Sequence, residues 1–353
     1  MSKTRFVSED ALVRLLESIG GRDVYAAVRR ERSPEYCHIE TIRDADMAWR
    51  EPRPASSPKA FLQPAIERVA VYTNRGVDEA ESAPAGKARA LVGLRACDLV
   101  AIAYLDKVFL EGECADPFYE ARRRNELVIS ADCVAVHENC FCTAVGGRPF
   151  AESGFDLNVT ALASGYLVDV GTAAGQELMD GLGAAAAEPT EAQLRERQEA
   201  RAESVEQIEA QTQGLKVSDR VQEALLAKQD SKDLSEMATR CVECAACTFI
   251  CPTCHCFYLY DQVGGDEKFE RIRTWDSCIL GDYSRMAGPA GAKPSPRPSL
   301  RNRCANRLLH KYAFSPQQYG MLGCTGCGRC IEACYGGIDI REVLRELSGD
   351  TSR

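Results

Sequence analysis

The sequence has no uninterrupted apolar run long enough to cross a bilayer. Its most apolar stretch, ALVGLRACDLVAIAYLDKVFL, is broken by Arg95, Asp98, Asp106 and Lys107, whereas a span needs roughly 20 consecutive apolar residues. The opening MSKTRFVSEDALVRLLESIGG is charged throughout and has no signal-peptide core, so a cytoplasmic protein is expected. Basic charge is in short supply: 43 Lys and Arg against 52 Asp and Glu leave a net charge of −9. That balance argues against nucleic acid or an anionic membrane as the main partner. One short basic stretch, 297–311, reads as a solvated face or as a patch that offsets nearby negative charge. No GxGxxG follows a strand and no P-loop occurs, so nucleotide binding has no positive support. Cysteine is too dilute, at 18 of 353 residues, and too clustered for a disulfide scaffold.

The clustering is the informative part. Eight cysteines form two matching runs, Cys241-x2-Cys244-x2-Cys247-x3-Cys251-Pro252 and Cys324-x2-Cys327-x2-Cys330-x3-Cys334, the ligand spacing of a pair of 4Fe-4S clusters. Three thiolates on one tight loop can cap three irons of a cubane. The fourth, one helical turn on, points away and ligates the other cluster. Cys241, Cys244, Cys247 and Cys334 are therefore assigned to one cluster, and Cys324, Cys327, Cys330 and Cys251 to the other. A zinc site usually draws two ligands from each of two separate knuckles, which the dense three-plus-one run fits poorly. Small residues between the ligands, Ala245, Ala246, Gly326 and Gly328, would let the backbone come close enough to donate to sulfur. Tyr335 stands where the second run would carry its proline.

The length suggests more than one core, and the expected class is α+β. Residues 1–187 read as a mixed α/β domain with strand-like ERVAVYT, ARALVGL, ELVISA and YLVDVG. Residues 188–235 read as a helical linker. Its first helix starts at a Thr190–Gln193 capping box and stops at Gly214; a second begins near Ser218, with Val221, Ala224, Leu225 and Lys228 at helical spacing; a third runs through Leu234 and Met237 into Cys241. Residues 236–347 read as a mainly α-helical, ferredoxin-like dicluster domain. The stretch 252–323 between its motifs is too long for a compact ferredoxin connection and includes the extended loop KPSPRPSLR.

Taken with the two runs, the segments FLQPAIERV, GLRACDLVAIAYLDKVFL, DPFYEARRRNELVI, CFCTAVGGRPF, GYLVDVG, CPTCHCF, WDSC and HKYAF resemble the iron-sulfur beta subunits of cytosolic sulfhydrogenases and, equally, the A-type iron-sulfur subunits of anaerobic sulfite reductases. The resemblance extends over most of residues 60–342. It implies an electron relay in a multisubunit oxidoreductase, between a flavin subunit that handles NAD(P)H or ferredoxin and a catalytic subunit of nickel-iron hydrogenase or sulfite reductase type. The chain itself lacks paired CxxC motifs near both termini and a sirohaem-type spacing, so catalysis is expected in a partner.

Two further cysteine groups lie in family-like segments. Cys97, Cys133, Cys140 and Cys142 could converge on a third cluster, Cys140 and Cys142 sharing one face if they lie in a strand; the alternative is that Cys97 and Cys133 are small buried apolar residues and that Cys140-Phe141-Cys142 is a loop edge. Such a cluster would also allow a second reading, a reductase with its own active site there. Cys254, Cys256 and Cys278 have no obvious fourth ligand, and His255 could ligate or simply pack. Arg95 and Asp98 could line a flavin edge or form a structural ion pair, and Trp275 reads as packing. Cys37, Cys114 and Cys304 show no pattern.

Overall fold

The computed structural model describes residues 4–78, 82, 86–227, 236–265, 267–289 and 294–348. The expected Lys228 and Leu234 helix positions lie outside them. Strands β1 (Thr4–Val7), β2 (Asp23–Val28) and β3 (Glu35–Ile39) join β6 (Arg89–Leu94), β7 (Glu126–Ala131), β8 (Leu157–Leu162) and β9 (Gly165–Val170) in one seven-stranded sheet of order β1-β9-β8-β7-β6-β2-β3. Its centre, β2-β6-β7-β8, is parallel, and the flanking pairs are antiparallel. The central strands are buried along nearly their whole length, ELVISA and LNVTAL alike, because helices cover both faces. One face packs on helix Glu9–Glu17 through Leu12, Leu15 and Leu16. The other packs on helix Ala96–Phe109 through Leu99, Ile102 and Leu105.

Strand β4 (Ile66–Thr73), the expected ERVAVYT, forms but joins a different sheet. With β5 (Gly76–Val77), β10 (Phe257–Gly265) and β11 (Lys268–Trp275) it makes an antiparallel sheet of order β10-β11-β4-β5. The stretch between the cluster motifs is thus not helical throughout: it carries the β10–β11 hairpin, whose inner strand borrows a partner from the N-terminal half. Glu67 on β4 fixes the junction, accepting from Arg273 of β11 at 2.6 Å and from Arg122 at 2.5 Å. The remaining C-terminal packing is helical, from Leu300–Leu309, Ser315–Tyr319 and Ile340–Ser348.

Helix Glu191–Thr212 begins at the capping box of Thr190 and Gln193 and ends where Gln213 and Gly214 both turn left-handed. It lies along the N-terminal domain: Arg201 pairs with buried Asp132 at 2.7 Å, Ser204 donates to the Cys133 carbonyl and Gln211 to the Cys140 carbonyl.

Candidate metal centre

The two cysteine runs fold into the same local shape. In the first loop Glu243 and Ala245, on either side of Cys244, have φ of 57° and 59°; in the second, Gly326 and Gly328, on either side of Cys327, have φ of 66° and 73°. The alternation wraps three thiols around one point. It then releases the chain into the short helices Ala246–Phe249 and Arg329–Glu332, which carry the third cysteine of each run.

The fourth cysteines lie close to both sets. Cys241, Cys244, Cys247 and Cys334 line one cavity together with Arg307 and Cys330, and the Cys247 thiol lies within electrostatic reach of Cys334, Cys241 and Cys251. Cys251 also lies within reach of Cys324 and Cys330, and Cys330 within reach of Cys327. Among the described residues, no three His, Cys, Asp or Glu side chains close on a point as ligands of a single metal ion would.

Burial governs their chemistry. It pushes the Cys330 thiol up to about 12 and raises those of Cys324 and Cys247, so ionising the set requires compensating positive charge. The chain supplies part of it from the basic stretch 297–311. Helix Leu300–Leu309 widens into a π-turn at His310–Phe314, and Arg303, Arg307 and Lys311 fall on its cluster-facing side, all nearly or fully buried. Arg303 pairs with Glu243 of the first loop at 2.5 Å. Lys311 donates to the Cys251 thiol at 3.2 Å, to Thr253 at 3.1 Å and to the Gly323 carbonyl at 2.7 Å. A hydrogen bond with neighbouring Cys254, joined by the charge of Lys311, holds the Cys251 thiol well below its usual range. Arg307 is the most telling: its Nε and Nη2 have no hydrogen-bond partner although the side chain is buried. Its charge faces Cys247 of one set and Cys330 and Cys251 of the other. A buried guanidinium with unmet donors among thiols fits an anionic, sulfide-bearing group. The donor set therefore suits 4Fe-4S clusters.

These cations were legible in sequence only as a basic stretch. Cys304, which showed no pattern, is buried beside Cys241 and Cys247 and lines the first cavity; its place one turn before Arg307 on the same helix is the signal that could have found it. Cys254 sits against Cys251, and Cys256 against Cys278. His255 turns the other way: its ring packs on Tyr104, Phe109 and His310, and Nδ1 meets the Thr253 carbonyl at 3.1 Å. It packs rather than ligates. Trp275 hydrogen-bonds the Gln63 carbonyl, and buried Lys59 stacks 4.0 Å from its ring centroid. Asp98 forms a fully buried pair with Arg329 at 2.6 Å, the structural alternative for that residue. Cys37 accepts from Arg30 on an edge strand and Cys114 is exposed, both away from the runs.

The N-terminal cysteines press against the second loop. A side chain at Gly326 would lie 2.5 Å from the Cys142 Cα, and one at Gly328 would collide with the Asn139 carbonyl; Phe141 donates its N–H to the Gly326 carbonyl at 2.7 Å. Cys140 and Cys142 sit in a loop entering a 3-10 turn, not in a strand.

Comparison with known proteins agrees with this geometry. Residues 240–338 match the model of a 4Fe-4S dicluster domain. The chain is 30% identical over 325 residues to the sulfhydrogenase 2 subunit beta of Pyrococcus furiosus, covering 92% of each protein. Among the described residues no helix is long and apolar enough to cross a membrane. The chain belongs to the family of 4Fe-4S electron-transfer proteins that includes this hydrogenase beta subunit.

Proposed function

We propose that this chain is the iron-sulfur relay subunit of a cytoplasmic, multisubunit oxidoreductase. It would carry electrons between a flavin subunit linked to NAD(P)H or ferredoxin and a catalytic subunit of hydrogenase type, with a sulfite reductase as the alternative partner. Cys241, Cys244, Cys247 and Cys334 hold one 4Fe-4S cluster, and Cys324, Cys327, Cys330 and Cys251 hold the other. When bound, each cluster exchanges one electron at a time. The chain's own residues bury the second site more deeply than the first, tie the two halves through reciprocal ligands, and set Arg307 between them and Lys311 on the second.

The observation that carries this reading is the orphaned guanidinium of Arg307, flanked by thiols of both sets. A docking partner is supported at the first set, where Cys244 is exposed and Val242 and Tyr335 stand 60% and 86% exposed beside it. Apolar surface at the edge of a redox centre suits an interface through which electrons leave. The N-terminal domain 1–187 and the helices of 188–235 serve as the scaffold that holds the dicluster region 236–347. Full-length protein purified without oxygen should be brown, with at least about eight iron per chain, four for each cluster; colourless protein carrying zinc would overturn the reading.

A further inference from the structure

The four N-terminal cysteines lie outside the dicluster motifs and outside the matched dicluster domain, which begins at residue 240. Cys97 opens helix Ala96–Phe109, Cys133 follows β7, and Cys140 and Cys142 lie in the loop beyond, yet they meet. The Cys133 thiol is within electrostatic reach of Cys97, Cys140 and Cys142. Two other features of this region resemble the surroundings of the dicluster thiols.

The first is Arg95. It is wholly buried, and its two terminal nitrogens donate only to backbone carbonyls, Asp132 at 2.9 Å and Ala48 and Glu51 at 2.5 and 2.9 Å. Its Nε has no partner, and its charge acts on the Cys133 thiol. No carboxylate pairs directly with its side chain among the described ion pairs, although buried Asp98 and Asp132 act on the same thiols. The second is the first turn of the 14-residue helix Ala96–Phe109, which places Cys97 at its positive end. Thiols, a buried guanidinium with a free donor and a helix N-terminus repeat the chemistry found around the dicluster thiols.

We propose that Cys97, Cys133, Cys140 and Cys142 hold a third 4Fe-4S cluster, and that the cluster of Cys324, Cys327 and Cys330 stands between it and the first. The proposal rests on the relay reading and extends it into a three-centre wire. The middle position follows from contacts on both sides. Cys140 lies 3.9 Å from the Cys327 carbonyl, Cys97 is within reach of the Cys327 thiol, and one cleft is lined by Cys97, Cys142 and Cys324. On the far side Cys330 and Arg307 line the cavity of the first set. The first and third sets share no such contact among the described residues. The N-terminal set is enclosed by helix Glu191–Thr212, so Ser204 and Gln211, which hold the Cys133 and Cys140 carbonyls, act as positioning residues for it.

The test is iron and acid-labile sulfide counting with Mössbauer spectroscopy on full-length, 57Fe-labelled protein prepared without oxygen. About twelve iron per chain is expected, falling to about eight in Cys133→Ser/Cys142→Ser. Loss of the third centre should also remove one of two magnetic interactions broadening the reduced signal of the middle cluster. A wild-type protein with about eight iron, or zinc at the N-terminal thiols, would overturn the proposal while leaving the two-cluster relay intact. Fewer than eight would instead strike at the relay. Because the wild-type count decides by itself, misfolding of the variant does not shelter the proposal, and Gln211→Ala, which keeps every thiol, should lower occupancy of the third centre alone.

Discussion

The two cluster loops share one backbone path and differ in what forces it. Both place left-handed residues on either side of the middle cysteine, but the first uses Glu243 and Ala245 and the second Gly326 and Gly328. The turn alone does not demand glycine, since the first loop takes the same dihedrals without it, at roughly 1–2 kcal/mol per residue. What differs is the neighbourhood. The first loop faces outward, with Cys244 and Val242 exposed and Glu243 free to pair with Arg303. The second is clamped on residues 139–142 with no room for a Cβ. Glycine in the second loop is a packing requirement, and the contrast separates a loop built for a partner from a loop built for the protein's own N-terminal domain.

The sharpest way to break the comparison is to add a side chain. Gly328→Val should cost about 4 kcal/mol from overpacking and left-handed strain together and empty the second site, read as lost iron and a lowered unfolding temperature. If it left the second site filled, the clamp would be wrong. The cations probe the next level. With a charge about 7 Å from a cluster in an effective dielectric near 20, Arg307→Met should lower the reduction potentials of both dicluster centres by roughly 100 mV. Lys311→Met should lower only the second. EPR-monitored titration distinguishes the shared cation from the private one.

A smaller effect lies in pH. Because burial raises the Cys330 thiol from 9.0 to about 12, its protonated form is favoured by the apo fold. The associated stability is fully present below about pH 9 and is lost as pH rises toward 12. Apo protein should thus melt at progressively lower temperature above about pH 9, and iron-loaded protein, whose thiolates are already ionised, should not; parallel melting curves would contradict this. The smallest expected effect is Ala245→Gly, which relieves a left-handed alanine and should change stability by no more than about 1 kcal/mol without moving the iron count.

Cysteine spacing carried most of the centre in the sequence, because a cubane's ligand geometry is written locally, three thiols per loop and one a turn beyond. Strands β6, β7 and β9 were legible for the same local reason. Strand β4 was visible as a strand, but its sheet was not: its partner β11 lies about two hundred residues away, and register between distant segments leaves no local mark. The cations were half legible. Arg303, Arg307 and Lys311 stood out as charge, yet a helix whose buried face is basic reads as a solvated one until the thiols opposite are seen. Cys140 and Cys142 could share a strand face or stand on a loop edge; the structure has the loop, pressed under Gly326 and Gly328, and it brings them near Cys133.

The account depends above all on reciprocal ligation, which is tested most directly by comparing the EPR and Mössbauer spectra of Cys251→Ala and Cys334→Ala in protein prepared without oxygen. Cys251→Ala should damage the centre of Cys324, Cys327 and Cys330 and spare that of Cys241, Cys244 and Cys247, and Cys334→Ala should do the reverse. Loss in each variant of the centre held by its own run would contradict the account.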